Sequence, residues 1–314
     1  MIPRCLSGRD AVAVLSAAIV ALALSRPAPA QSRDPSVDGG GHWSEVAPDA
    51  ARAATAKPVR KVRQAEARAA GILRRVPCRA PKRIGNTVGA LPHVARKLAG
   101  HQPVTIIAFG SSSTEGYGST APRFTYPNRL AAQLRRRFPS APIAVLNRGR
   151  GGEDAPEMLK RLKRAVIDEK PDLVIWQVGT NAILRNLDPA ATLAVVRDGI
   201  ARIQAAGADV VLVDPQYVPA VNQKGEHASR MVKMLANFAG RHRVGLFPRF
   251  EVMRAWHDDQ ALAFDRFSIS DGLHMNDWGY ACFAQLLGDD IIRAVGEIKA
   301  GANPSRGVLT YRPL

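Results

Sequence analysis

"VTIIAFGSSSTEG", residues 104–116, decides the fold. Its first six residues are apolar or β-branched and do not alternate with polar ones. Such a short unbroken run reads as a strand buried on both faces. Glycine and three serines follow at once and mark a turn at the strand's carboxyl end. Four more runs of the same kind come later: "IAVLN" (143–147), "LVIWQV" (173–178), "DVVLVD" (209–214) and "VGLF" (244–247). Segments of helical period separate them at 126–138, 154–168, 188–206 and 225–241, with a last one at 277–299. Buried strands alternating with amphipathic helices predict a three-layer α/β/α domain on a five-stranded parallel sheet, over residues 101–300.

In an open parallel sheet the functional groups gather outside the carboxyl ends of the strands. The first strand is followed by "GSSSTEG", the second by "RGRGGED", the third by "GTNA", and "DGLH" (271–274) precedes the last helix. Each fragment alone is ordinary turn chemistry, and Asn276 is a candidate N-cap for the last helix. Together they place hydroxyls, glycines, an amide, a carboxylate and a histidine at the corners a site would use. A serine hydroxyl is a weak nucleophile that needs an adjacent base, and His274 supplies one if an acceptor such as Asp271 orients its other ring nitrogen. The other six histidines lie outside the core domain (His42, His93), in loops (His101, His257) or in or beside a polar helix (His227, His242).

The four blocks, in this order, resemble the SGNH or GDSL-type esterases and acylhydrolases over residues 104 to 295. "FGSSSTEG" resembles the family's first block, and aligning Phe109-Gly110 makes Ser112 the nucleophile. "NRGRGG" resembles the second, whose last glycine, Gly152, lends a backbone N–H. "VGTNA" places the third block's asparagine at Asn181. "DGLH" gives Asp271 and His274. The resemblance implies a flavodoxin-like topology, a Ser112–His274–Asp271 triad, and an oxyanion hole of Gly152, Asn181 and the Ser112 N–H. Ser111 and Ala182 stand where the family usually has aspartates. "DPQY" after the fourth strand suggests Gln216 and Tyr217 as a substrate rim. Trp176 within the third strand reads as core, and Glu153 and Asp154 as complements to a helix N-terminus.

The chain lacks Gly-Lys-Ser/Thr and any Gly-x-Gly-x-x-Gly opening a helix after the first strand, which argues against a phosphate loop. Thr114 after Ser113 breaks Gly-x-Ser-x-Gly, which argues against an α/β-hydrolase elbow. No Cys/His spacing suits a metal, and no cofactor is implied.

Residues 1–30 read as a secretory leader, with Arg4 and Arg9 before an apolar run and "APA" before a cut after Ala30. The apolar run is shorter than the ~20 residues of a bilayer span, and no later stretch is long enough. A secreted or periplasmic protein is expected. Residues 31–60 read as a disordered linker, 61–100 as a partly helical basic segment, and 301–314 as a tail. Cys78 and Cys282 remain once the leader and Cys5 are gone; they form either one disulfide or two separate thiols. Of the formal charge of +17, thirteen Lys or Arg against one acid, Glu66, fall within 51–100. That block is either a solvated arm or a binder of anionic polymers or surfaces. Export and the lack of aromatic interleaving argue against nucleic acid.

The expected activity is hydrolysis of carboxylic esters, of the short acyl or O-acetyl kind found on envelope or extracellular polysaccharide. The rivals are glycan O-acyl transfer with the same triad, a lysophospholipase or thioesterase, and a non-catalytic glycan-binding module.

Overall fold

The computed structural model of the 314-residue chain describes residues 71–72, 74–81, 88–242 and 244–299. The leader, the linker, the tail and residues 61–70, 73 and 82–87 of the basic segment lie outside the described residues.

The elements run α1 (Pro92–Ala99), β1 (Val104–Gly110), α2 (Ser112–Glu115), α3 (Tyr126–Arg137), β2 (Ile143–Gly149), α4 (Ala155–Ala165), β3 (Leu173–Gln177), α5 (Thr180–Leu184) and α6 (Pro189–Ala205). They continue with β4 (Asp209–Val213), α7 (Pro219–Asn222), α8 (Gly225–His242), β5 (Gly245–Phe247), α9 (Arg249–His257) and α10 (Asp277–Lys299). The strands pair in parallel in the order β2-β1-β3-β4-β5. This is the flavodoxin-like doubly wound order, whose direction reverses between β1 and β3 and opens a crevice there.

β1, β3, β4 and β5 are buried along nearly their whole length, as their unalternating sequence requires, whereas β2, at one edge of the sheet, buries only Ile143. β3 is buried along its whole length, and Trp176 is fully enclosed, with its indole N–H on the Met158 sulfur. Helices α3 and α10 pack together with α1 beside them, while α4, α6 and α8 form a second packed set. Local chemistry sets the helix starts. Asp154 and Glu157 form a reciprocal capping box on α4, and Asp188 accepts from the first free N–H groups of α6. Asn276 caps α10 by accepting from Gly279 N–H at 3.0 Å.

The structure extends the packed body upstream of residue 101. Val88, Leu91, Val94, Ala95 and Leu98 join the core, so His93, expected outside the domain, sits on a helix that covers it. The expected partly helical segment thus includes "PHVARKLA", which turns Val94, Ala95 and Leu98 inward onto the core. Cys78 and Cys282 form a disulfide, Cα to Cα 5.7 Å, which ties the segment ahead of α1 to α10. The helix over 249–257 was not expected. Arg249, Phe250, Val252, Met253, Ala255 and Trp256 are all buried, which leaves it little polar face to betray its period. Among the described residues, no helix is long and apolar enough to cross a membrane, and no cluster of His, Cys, Asp or Glu could hold a metal ion.

Candidate active site

The turn after β1 winds into the single helical turn α2, with extended Ser111 as its cap residue. Successive side chains on such a turn point about 100° apart, so the three serines face different ways. Ser111 is buried; its N–H and hydroxyl both donate to Gln177 Oε1, at 2.9 and 3.0 Å. Thr114 Oγ1 donates to the same oxygen at 3.3 Å, so the last residue of β3 anchors the turn from the neighbouring strand. Ser113 is buried. Ser112 alone turns outward, and its Oγ lies 2.8 Å from His274 Nε2.

His274 and Asp271 come from one short loop. Asp271 Oδ1 accepts from the N–H groups of Leu273 and His274, both at 2.9 Å, and Oδ2 lies 2.6 Å from His274 Nδ1. Burial pushes the Asp271 carboxyl upward, but the N–H of His274, its ring and the N–H of Leu273 outweigh that and hold it below the usual range. An ionised Asp271 makes Nδ1 the protonated nitrogen and leaves Nε2 as the acceptor toward Ser112. The Tyr117 ring lies 4.4 Å from the imidazole, and Tyr280 fixes the Tyr117 carbonyl with a 2.7 Å hydroxyl bond.

The loop after β2 closes the other side. A Cβ on Gly149 would fall 2.0 Å from Glu115 N, so only glycine allows this strand end to lie against α2. Glu115 Oε2 accepts from Gly151 N–H at 2.9 Å. Gly152 follows with φ of 78°, a conformation that favours glycine, and its N–H donates to no described residue. Asn181 donates one amide hydrogen to the Glu153 carbonyl at 2.8 Å, which aims the side chain and leaves its second hydrogen unused. One helical turn on, Arg185 donates to the Gly152 carbonyl at 2.6 Å and to Asp154 Oδ2 at 2.9 Å. α5 therefore holds the loop at three consecutive residues.

Most of the residues expected at the site converge: Ser112, His274 and Asp271 form a continuous hydrogen-bonded chain, and the Gly152 loop is bonded to Asn181. Gln216 does not line a rim. It is buried, accepts from Thr180 Oγ1 at 3.0 Å and donates to the Leu273 carbonyl at 3.2 Å, so it braces the residues just before Asn181 and His274. An amide between two backbone loops is drawn inward because both loops need a partner for a buried polar group. Tyr217 is half-buried, edge-on to Phe250 at 5.2 Å and beside Phe264 and His257. Gln177, Glu115, Tyr117 and Arg185 went unread. Only Arg185 left a local signal, four residues after Asn181 and so on the same helical face.

Residues 77–297 match the model of the non-GDSL lipase-like family. An arylesterase of Vibrio mimicus is 21% identical over 188 residues, covering 60% of this chain and 88% of the relative. Among solved structures, a two-domain esterase active on acetylated mannans, co-crystallised with mannopentaose, superposes with a TM-score of 0.56 at 18% identity; the match covers 73% of this chain and 58% of that one. The chain thus spans little more than half of that two-domain protein. An acetyl xylan esterase superposes with a TM-score of 0.52 at 19% identity, covering 61% of this chain and all of that one.

Proposed function

This chain belongs to the non-GDSL lipase-like family, within the SGNH/GDSL-type esterases, and is a hydrolase of ester bonds; from that premise we propose that it removes short acyl groups, acetyl above all, from polysaccharide by way of Ser112. The single observation that carries the reading is the unbroken chain from Ser112 Oγ through His274 to Asp271, at 2.8 and 2.6 Å.

His274 Nε2 takes the Ser112 proton as Oγ attacks the ester carbonyl carbon. Asp271 holds the tautomer and stabilises the imidazolium. The carbonyl oxygen becomes an oxyanion beside the N–H groups of Ser112 and Gly152 and the free amide hydrogen of Asn181. The intermediate then collapses: the sugar hydroxyl leaves with the proton from His274, and Ser112 keeps the acyl group. Water, deprotonated by His274, attacks that acyl-enzyme, and the carboxylic acid departs as Oγ recovers its proton. The acetyl-polysaccharide substrate draws support from the fold shared with the mannan and xylan esterases. An extracytoplasmic location draws support from the leader pattern at 1–30 and from the Cys78–Cys282 disulfide.

Purified protein is expected to hydrolyse p-nitrophenyl acetate faster than the long-chain esters. Ser112→Ala lowers kcat by about 10⁴–10⁶, while Ser111→Ala and Ser113→Ala retain turnover. Activity that survives Ser112→Ala sinks the mechanism, and a preference for long acyl chains sinks the acetyl reading.

A further inference from the structure

A second charged feature lies away from Ser112. A small cleft of about 40 Å³ opens between α3, α10 and the segment ahead of α1, and Arg74, Arg75, Arg129 and Arg136 all line it. The short side chains of Ala281 and Ala284 also line it and leave it open. Among the described residues, one carboxylate lies within ion-pair distance of these four cations: Asp289, engaged by Arg75 at 2.6 Å. Arg129 is half-buried, and its pKa is pulled down by burial against the attraction of Asp277. Its Nε and one terminal nitrogen donate to the carbonyls of Phe124 and Ile72, at 3.0 and 3.4 Å, neutral partners; Asp277 attracts the cation only from beyond ion-pair distance. A partly desolvated guanidinium with no carboxylate in direct contact is stabilised when an anion completes it.

The cleft and the site share one helix: Ala281 and Ala284, which line the cleft, lie on α10, and α10 follows directly on the His274 loop. α10 starts at Asp277, three residues after His274, and Asp277 accepts from the Thr120 N–H at 2.9 Å. Ala281 and Ala284 follow about 6 and 10 Å farther along the helix. Arg123, stacked on the same Phe124 ring at 4.4 Å that Arg129 also covers, adds a fifth cation next in sequence to it.

We propose that this cleft is an anion subsite that seats the carboxylate of an acidic polysaccharide while an ester farther along the same strand reaches Ser112. The inference rests on the esterase reading and narrows its substrate to uronate-type polymers. A lipid surface fits less well, because among the described residues Tyr117 is the only large hydrophobic side chain exposed, and membrane-binding faces insert several. Nucleic acid fits less well, because the Phe124 ring is already covered by Arg123 and Arg129 and offers no open face for a base.

The test compares full-length wild type with Arg129→Gln/Arg136→Gln on O-acetylated polygalacturonate, O-acetylated mannan and p-nitrophenyl acetate. The double variant is expected to lose about 10-fold or more in kcat/KM on the acidic polymer, mostly through KM, with the other two substrates unchanged. Wild-type kcat/KM on the acidic polymer should fall steeply between about 50 and 200 mM NaCl, and less so in the variant. Arg74→Gln/Arg136→Gln, at two exposed positions, repeats the comparison should Arg129 prove necessary for folding. Equal losses on acidic and neutral polymers overturn the proposal. So does binding to phosphatidylglycerol vesicles without binding to polygalacturonate. Unacetylated polygalacturonate serves as the binding probe that needs no catalysis. If wild type fails on p-nitrophenyl acetate yet binds that probe, the esterase reading falls and the cleft stands.

Discussion

Two histidine–aspartate pairs sit at opposite ends of the same sheet. Beyond the carboxyl ends of the strands, Asp271 holds His274 Nδ1 at 2.6 Å. At the amino ends, Asp172, just before β3, holds His93 Nε2 at 2.7 Å. Each aspartate also accepts backbone N–H groups: Leu273 and His274 at one end, Thr105 at 2.8 Å at the other. The difference lies in the third partner. His274 turns its free nitrogen to Ser112, whereas His93 turns its own toward an Arg96 guanidinium at 3.5 Å, and Lys97 neutralises Asp172 at 2.8 Å. A histidine facing a hydroxyl can move a proton. One boxed in by cations fastens a helix to a sheet.

The largest effect expected from this comparison is that of Asp271→Asn, which should lower kcat on p-nitrophenyl acetate by about 10⁴ with little change in melting temperature. A variant within about threefold of wild type would place the two pairs on equal footing. Asn181→Ala probes what the amino end lacks altogether, an aimed donor, and should cost about 10²–10³ in kcat at unchanged KM.

Asp172→Asn is the mirror experiment: about 1–3 kcal/mol of stability lost in urea titrations, with turnover per folded molecule intact. Burial pushes the Asp172 carboxyl upward, but Lys97, Thr105 and His93 together bring it below its ordinary value. A carboxyl depressed in the folded state contributes stability above its unfolded pKa and loses it as pH falls through the folded one. The gap between wild type and Asp172→Asn should therefore be full at neutral pH and narrow below about pH 4. A gap that widens in acid would contradict that sign. Smallest is Arg185→Ala, which frees the Gly152 carbonyl and should cost about 10-fold in kcat, with Arg185→Lys recovering part. An effect confined to KM would mean that Arg185 touches substrate and does not hold the loop.

Legibility followed range. All five strands fall within two residues of their expected ends, because unbroken apolar runs mark a parallel sheet's strands locally; even β2, which buries only Ile143, keeps the apolar run "IAVL". Helices α2, α5 and α7 are too short to display a period. Gln216 was misplaced because a polar residue after a strand reads the same whether it faces solvent or spans two loops. Gln177, Glu115 and Arg185 act over 31 to 66 residues of sequence separation, and no local pattern carries that information.

The sequence by itself determined the layer architecture, the corners where polar groups collect and the local Asp271–His274 bond, since each depends on residues a few positions apart. Within "GSSS" it offered three equal hydroxyls, and only resemblance favoured the middle one. The fold decides the matter physically. β3 lies beside β1, so Gln177 captures Ser111, and the helical turn buries Ser113. That rotation leaves Ser112 opposite a histidine 162 residues away, a separation only tertiary structure can close.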